Sequence, residues 1–311
     1  FDDYQSLDGP ADGLTGQKRA FVDEIYFHIV TDADTRVAGL QSGKYHIANV
    51  IPYDSAEMLG RDENIVNTPV QGAFAAFVFN KKEGVFSNQH MRQAVAAALN
   101  IEDMMLAAYR SENFFTMNHA LMLEDQTTWY TDAGKDQYDQ RNTEKARELL
   151  REAGYIGEKI RLLTTREYED FYTLAVAAQQ QLRSIGMNVI LEVFDWSTVL
   201  DLRTQPHTYD MFMASFDARP TPVQYPFLES RAEWPGWTNS SKIDELIDGI
   251  VDATELEEAM ALTEELQAEV WHYLPILKLG NKMDVISMRS HIKGFDDFVG
   301  APILWNVRMG D

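Results

Sequence analysis

Between residues 143 and 215 the apolar positions alternate between two periods, and this pattern limits the possible folds more than any other feature of the chain. Ala146, Leu149, Leu150 and Ala153 recur at i, i+3, i+4 and i+7 and stop at Gly154, the signature of one helical face closed by a residue that tolerates a left-handed turn. Residues 160–165 then read as a strand. Phe171, Leu174, Ala175, Ala178, Leu182 and Ile185 form the stripe of a longer helix stopped at Gly186, and residues 187–194 read as the next strand. A short helix over 196–203 and a strand over 209–215 follow. Thr254 and Glu257 have the spacing of a capping box, predicting a helix that runs to about Trp271. Strand, helix, strand in this order predicts a β-α-β unit and an α/β architecture with a largely parallel sheet.

The rest of the chain is less regular. Residues 21–29 mix aromatic and β-branched side chains in near-alternation and predict a strand, followed by a helix capped at Asp34-Thr35, with Val37 and Leu40 inward and Gly43 as its stop. Residues 71–80 predict a second, strongly apolar strand. Residues 91–99 and 101–109 predict two helices broken at Asn100, whose side chain can cap the second with Asp103 at its third position. Residues 118–141 form a long irregular stretch, and no internal repeat appears. A chain of 311 residues exceeds what one hydrophobic core usually serves, which predicts two lobes. Pro69 to Gly72 and Pro275 to Gly280 border strands at either end of the regular block and are candidate crossing points, which would join the first 70 residues to the last 30.

Several classes of function lack their chemistry here. Hydrophobic residues at 45% and aromatics at 11% can bury a sizeable core, which excludes a disordered chain. With 27 Lys and Arg against 49 Asp and Glu, the net charge of −22 repels phosphate backbones and anionic lipid, so no nucleic-acid partner is expected. There is no cysteine, hence no disulfide, thiolate nucleophile or thiolate metal site. The seven histidines include no pair at i, i+4, and there is no HExxH, Gly-x-Ser-x-Gly, Gly-x-Gly-x-x-Gly or phosphate loop. A carboxylate pair of the glycosidase kind remains possible among so many acids without a motif to support it. No metal or other cofactor is expected. The longest apolar run, residues 73–79, falls far short of the ~20 residues of a spanning helix, and the polar opening Phe-Asp-Asp-Tyr-Gln is no signal segment. Either the protein is cytoplasmic or a targeting segment lies upstream of this chain, and the absence of an initiating Met favours the second reading.

The stretch from Phe194 to Pro222, FDWSTVLDLRTQPHTYDMFMASFDARPTP, carries the densest candidate chemistry. It sets Trp196 and Arg203 seven residues apart on the short helix and Asp217 just past a strand. Open α/β sheets bind ligands beyond the carboxyl ends of their strands, so Asp217 could meet a ligand cation such as an α-amine, and Arg203 a carboxylate. Plainer roles serve the same residues equally well: Trp196 as a core anchor, Arg203 in a surface ion pair, Asp217 as the first residue of a loop.

With these segments in order, the whole chain resembles the extracytoplasmic solute-binding proteins of ABC importers for oligopeptides, dipeptides and related solutes, solute-binding family 5. The segments are VDEIYFHIVTDADTRVAGLQSGKYHIAN, FVFNKKEGVFSNQHMRQAVAAALNIEDMM, ARELLREAGY, QQQLRSIGMNVILEVFDWSTVLDLR, YDMFMASFDARPTP, WTNSSKIDELI and LPILKLGNKMDVISMRSHIKGF. The resemblance implies a type II periplasmic-binding-protein-like α/β fold of two lobes, with mixed sheets flanked by helices and the N-terminal part of the family fold missing. Residues 1–70 would form part of the first lobe, 71–278 the second, and 279–311 the return to the first.

In function, the resemblance implies a non-enzymatic subunit of an ABC importer. It would close on a peptide or other small solute in an interlobe cleft and deliver it to the permease, as a monomer in the periplasm or at the outer face of the membrane. Trp196 and Arg203 fall on the Trp and Arg that line a side-chain pocket in peptide-binding members, and Asp217 on the Asp that meets the α-amine. Here Asp217 is followed by Ala218-Arg219-Pro220-Thr221-Pro222, with the proline shifted, so Arg219 is a second candidate that would neutralise Asp217 or face an anionic solute. Phe216, Tyr225, Trp234 and Trp237 join Trp196 as aromatic residues near the expected cleft. Members also carry nickel chelates, haem, glutathione, opines and oligosaccharides, so the resemblance leaves the solute open. The alternatives are a carboxylate-based glycoside or peptide hydrolase, and a peptide receptor or chaperone without transport.

Overall fold

The computed structural model describes residues 4–298 and 301–310; residues 1–3, 299–300 and 311, which belong to the expected first-lobe segments, lie outside the described residues. The chain divides into two compact units. The first comprises residues up to Ala73, Arg110–Phe114 and residues from Lys282 onward; the second comprises Phe74–Tyr109 and Phe115–Asn281.

In the first unit, helix α1 (Ala33–Gln41) is capped by Asp32 and not by Asp34: its Oδ1 accepts the Thr35 N–H at 2.8 Å. Val37 and Leu40 are buried as their spacing predicts, and Gly43 follows with φ of 78°. Strand β1 (Ile47–Ala48), helix α2 (Tyr53–Leu59) and strand β2 (Ile65–Phe79) come next. The strand expected over residues 21–29 does not form, and Tyr26, Phe27 and Ile29 stand 72, 79 and 95% exposed. Alternating aromatic and β-branched residues favour an extended backbone, but a strand also needs a neighbour to take its hydrogen bonds. Among the described residues none pairs with this segment.

The second unit begins with the apolar end of β2. Helices α3 (Gln89–Ala98) and α4 (Ile101–Tyr109) are separated at Asn100, whose Oδ1 accepts the Asp103 N–H at 3.1 Å, the cap read from the sequence. After the short strand β3 (Phe115–Thr116), the regular block unfolds as expected: α5 (Thr143–Glu152), β4 (Lys159–Thr164), α6 (Glu169–Ser184), β5 (Asn188–Val193), α7 (Trp196–Leu202) and β6 (Met211–Asp217). Gly154 and Gly186, with φ of 72° and 101°, end α5 and α6 in the left-handed region where a Cβ would be strained.

Strand β4 lies between β5 and β6 and is parallel to both, with Leu162 opposite Leu191 on one side and Met211 on the other. The order in this unit is β2-β6-β4-β5. Helix α8 (Ser241–Asp252) follows, with Ser240 accepting the Ile243 N–H, and then α9 (Leu256–Tyr273). The expected capping box at Thr254 does not form: Glu255 holds the cap position, and no side chain bonds there. One face of the sheet carries the main core, where Phe74, Leu163, Phe212 and Phe216 meet Leu246 and Ile250 of α8 and Leu266 and Val270 of α9.

Strand β7 (Ile276–Arg289) then returns the chain to the first unit, where it pairs antiparallel with β1, Met288 opposite Ile47. The sheet is therefore mixed, with β5, β4 and β6 parallel and β1 antiparallel to β7. Two short antiparallel pairs complete the first unit: β8 (Ile292–Lys293) with β11 (Arg308–Met309), and β9 (Asp296–Phe298) with β10 (Ala301–Ile303). Val70, Ile286, Met288, Ile292 and Val307 form its small core.

Candidate functional site

Because β4, β5 and β6 run parallel, the residues that follow them emerge along one edge of the second unit. These are residues 165–168 after β4, Phe194 to Trp196 after β5, and the Ala218-Arg219 step after β6. Asp195 fixes how α7 leaves this edge. Its carboxylate accepts the Thr198 N–H at 2.9 Å and the hydroxyls of Ser197 and Thr198 at 2.6 and 2.7 Å. Those hydrogen bonds hold its pKa down at about 2.

Trp196, the first residue of α7, is half-buried and packs against the core. Its ring meets Tyr168 at 5.4 Å and Phe171 at 5.7 Å, both nearly edge-on. Tyr168 is itself 45% exposed, so the two rings form an aromatic corner open on one side. Arg203 sits at the far end of α7, about 10 Å further along at the usual helical rise. Its guanidinium stands over the rings of Trp234 and Phe212, at 5.5 and 5.9 Å. Burial lowers its pKa somewhat, and no ion pair or side-chain hydrogen bond reaches it among the described residues.

Phe216 is 8% exposed and belongs to the core, touching Phe74, Phe227 and Trp234. Asp217 and Arg219 are exposed where β6 ends, and they form no ion pair with each other or with any other described residue. Both act on the buried Tyr225, whose phenol burial pushes up to about 12 and whose hydroxyl donates to Leu121 O at 3.1 Å. The Arg219 carbonyl accepts from Gln126 Nε2 at 2.8 Å, which fixes the loop while leaving the guanidinium free.

The structure thus brings Arg203 and Phe216 together through Trp234, sets Trp196 against Tyr168, and leaves Asp217 and Arg219 side by side in the chain at the strand exit. Sequence reasoning missed Tyr168, which follows a strand in an ordinary polar loop. The signal that could have found it is the edge rule itself, applied to β4 as well as to β6.

A surface depression of about 710 Å³ lies elsewhere, between α5 and the loops that enter β4 and β5. Arg147, Arg151, Tyr155 and Ile156 line it, at the amino-terminal edge of the parallel strands. No group of three or more metal-ligating side chains occurs among the described residues, and no helix is long and apolar enough to cross a membrane.

The family model of the bacterial extracellular solute-binding proteins, family 5, middle region, matches residues 1–236. The chain belongs to that family. It is 26% identical over 321 residues to the "Probable peptide ABC transporter periplasmic-binding protein y4tO" of Sinorhizobium fredii, covering 96% of this chain and 59% of that protein. It is 22% identical to the oligopeptide-binding protein AppA of Bacillus subtilis, covering 94% of this chain and 56% of that one. Among solved structures, the periplasmic binding protein DppA of Helicobacter pylori in complex with the peptide STSA superposes with a TM-score of 0.78 at 22% identity, over 91% of this chain and 56% of DppA. The likeness shows the type II binding-protein fold of family 5. The chain spans a little over half the length of the relatives it matches.

Proposed function

We propose that this chain is the solute-binding part of an ABC importer, capturing a peptide or a related small solute outside the cytoplasm and presenting it to a membrane permease, without covalent chemistry. Membership of the family supports the transport role, and relatives named for peptide binding support the solute class. We read the segments 1–70 and 279–311 as one lobe and 71–278 as the other. The observation that carries the placement of the solute is the pair of unpaired charges, Asp217 and Arg219, beyond the carboxyl end of β6, beside the edge on which Trp196 begins α7. On this reading Trp196 packs a solute side chain, Arg203 and Arg219 take anionic groups, Asp217 takes an amine, and Phe216 supports the wall from within the core.

A thermal-shift screen with peptides, sugars and metal chelates tests the proposal. A solute at 100 times its dissociation constant adds about 2.7 kcal/mol to stability, a readily visible rise in melting temperature. Peptides should raise it in proportion to the logarithm of concentration, with no turnover on prolonged incubation. A melting temperature unmoved by every class, or hydrolysis of the added solute, would refute it.

A further inference from the structure

The long irregular segment over residues 118–141 folds around one buried imidazole. His119 is 4% exposed, and its carbonyl accepts from Gln267 Nε2 and Trp271 Nε1 of α9 at 3.3 and 3.2 Å. The Leu121 N–H donates to Gln267 Oε1 at 2.8 Å, so the start of the segment is fixed to the helix. The rest lies against the His119 ring, with the rings of Tyr130 and Tyr138 each 6.2 Å from it. His119 Nε2 is buried without a hydrogen-bond partner. Asp132 Oδ1 stands 3.7 Å from it, beyond hydrogen-bond reach, and accepts instead from Lys135 Nζ at 3.1 Å. The contacts continue to the exit of β6. The Tyr130 N–H donates to the Gln126 carbonyl at 3.0 Å, and Gln126 Nε2 donates to the Arg219 carbonyl at 2.8 Å. Packing and hydrogen bonds thus run from the His119 ring to the backbone of Arg219.

We propose that His119 is a pH-operated latch on the solute edge: while its imidazole is neutral, residues 123–138 stay folded over it and hold Arg219, and its protonation releases them and weakens solute binding. The inference rests on reading the exit of β6 as part of the solute site, and it adds to that reading a response to acid. A neutral imidazole suits this enclosure of rings, whereas an imidazolium would be a charge taken out of water. The charged groups that act on the ring are Asp132 and Lys135 of the segment and Lys278 of β7, and α9 presents the uncharged Gln267 and Trp271. Asp132 attracts an imidazolium, but its side chain is 65% exposed and shared with Lys135, so the attraction is screened. Lys135 and Lys278 repel it. Burial therefore prevails and holds the imidazole below its ordinary pKa near 6.5. For a group lowered in this way, the closed segment has its full stability above about pH 6.5 and loses it as the pH falls through the folded-state value.

Hydrogen exchange of the 311-residue chain, corrected for the intrinsic effect of pH, tests the latch. Protection of the amides of residues 123–138 should fall by up to about tenfold per pH unit below pH 6.5, and in His119→Gln this pH dependence should vanish. In a titration followed by nitrogen-15 resonances, the Arg219 amide should move with the same midpoint as the His119 imidazole. Should His119→Gln leave the segment open at pH 7.5, this shared midpoint in the parent chain decides. Unchanged protection, an equal fall in the variant, or an Arg219 amide that does not follow His119 would each overturn the latch. Calorimetry with Ala-Glu at pH 7.5 and 5.5 separates this inference from the transport reading. Equal binding at both pH values while the segment opens removes the link to the solute and keeps the peptide-binding reading. A segment that opens in acid, with Arg219 following it and no Ala-Glu binding at either pH, keeps the latch and removes that reading.

Discussion

Arg161 and Arg203 flank the same strand-helix-strand segment, and they differ in what receives their charge. Arg161 Nε meets the buried Asp210 carboxylate at 3.2 Å, and its own backbone N–H donates to that carboxylate at 2.7 Å. Arg161→Ala should therefore cost about 2–3 kcal/mol, somewhat less than a fully buried pair, because the backbone bond survives. Arg203→Ala breaks no pair and should change stability by less than about 1 kcal/mol, while weakening solute binding by about 1.5–3 kcal/mol, tenfold or more. Urea unfolding and calorimetry on both variants check this; a large loss of stability in Arg203→Ala would assign that residue to the frame. Gly236 poses a backbone version of the same test. With φ of 105°, a Cβ there would lie 2.6 Å from Val78 Cγ1 and 3.1 Å from Phe79 O. Gly236→Ala should destabilise by about 2–4 kcal/mol, from strain and overpacking together, and a neutral result would mean that the turn between Trp234 and Trp237 can relax freely.

At the scale of the element, α7 depends on its first residue. The folded-state pKa of Asp195 is held at about 2, below its ordinary carboxylate value near 3.9, so the cap contributes stability above about pH 4 and loses it as pH falls through about 2. Asp195→Ala should lower the urea midpoint at pH 7, with the gap to the parent chain narrowing steadily towards pH 2. A gap independent of pH would mean that the charge of Asp195 plays no part. The elements also show what local sequence can and cannot specify. The helices α5 and α6 were legible because the signals that form them, an apolar stripe and a terminal glycine, lie within the element. The strand expected over residues 21–29 was not, because pairing is decided by a neighbour that a propensity cannot supply. Strand β7 hides for the opposite reason. Lys278, Gly280 and Asn281 interrupt its apolar pattern, yet all are buried. Lys278 Nζ bonds the Ala120 carbonyl and stands 4.8 Å from the Phe74 ring, and Gly280 leaves room for Met105 and the Thr116 carbonyl. Those partners lie more than a hundred residues away in the chain.

For the whole molecule, the β-α-β block and its parallel edge follow from sequence periodicity, and with them the neighbourhood of Trp196 and Asp217. What periodicity does not carry is which side chains at that edge keep a free face. Phe216 and Trp196 are both aromatic residues at strand or helix ends, yet Phe216 is enclosed by three other rings and Trp196 keeps a half-exposed side. Trp234 closes over Phe216 from the turn that contains Gly236, whereas the ring partners of Trp196 are Tyr168 and Phe171. The central claim is that the solute meets the carboxyl edge of the parallel strands and the outer face of α7. Backbone amide shifts of the 311-residue chain, followed while Ala-Glu is added, test it most directly because they register even weak binding residue by residue. The account predicts saturable changes at residues 165–168, 194–203 and 217–219; changes gathered instead around Arg151, Tyr155 and Ile156, or no changes anywhere, would contradict it.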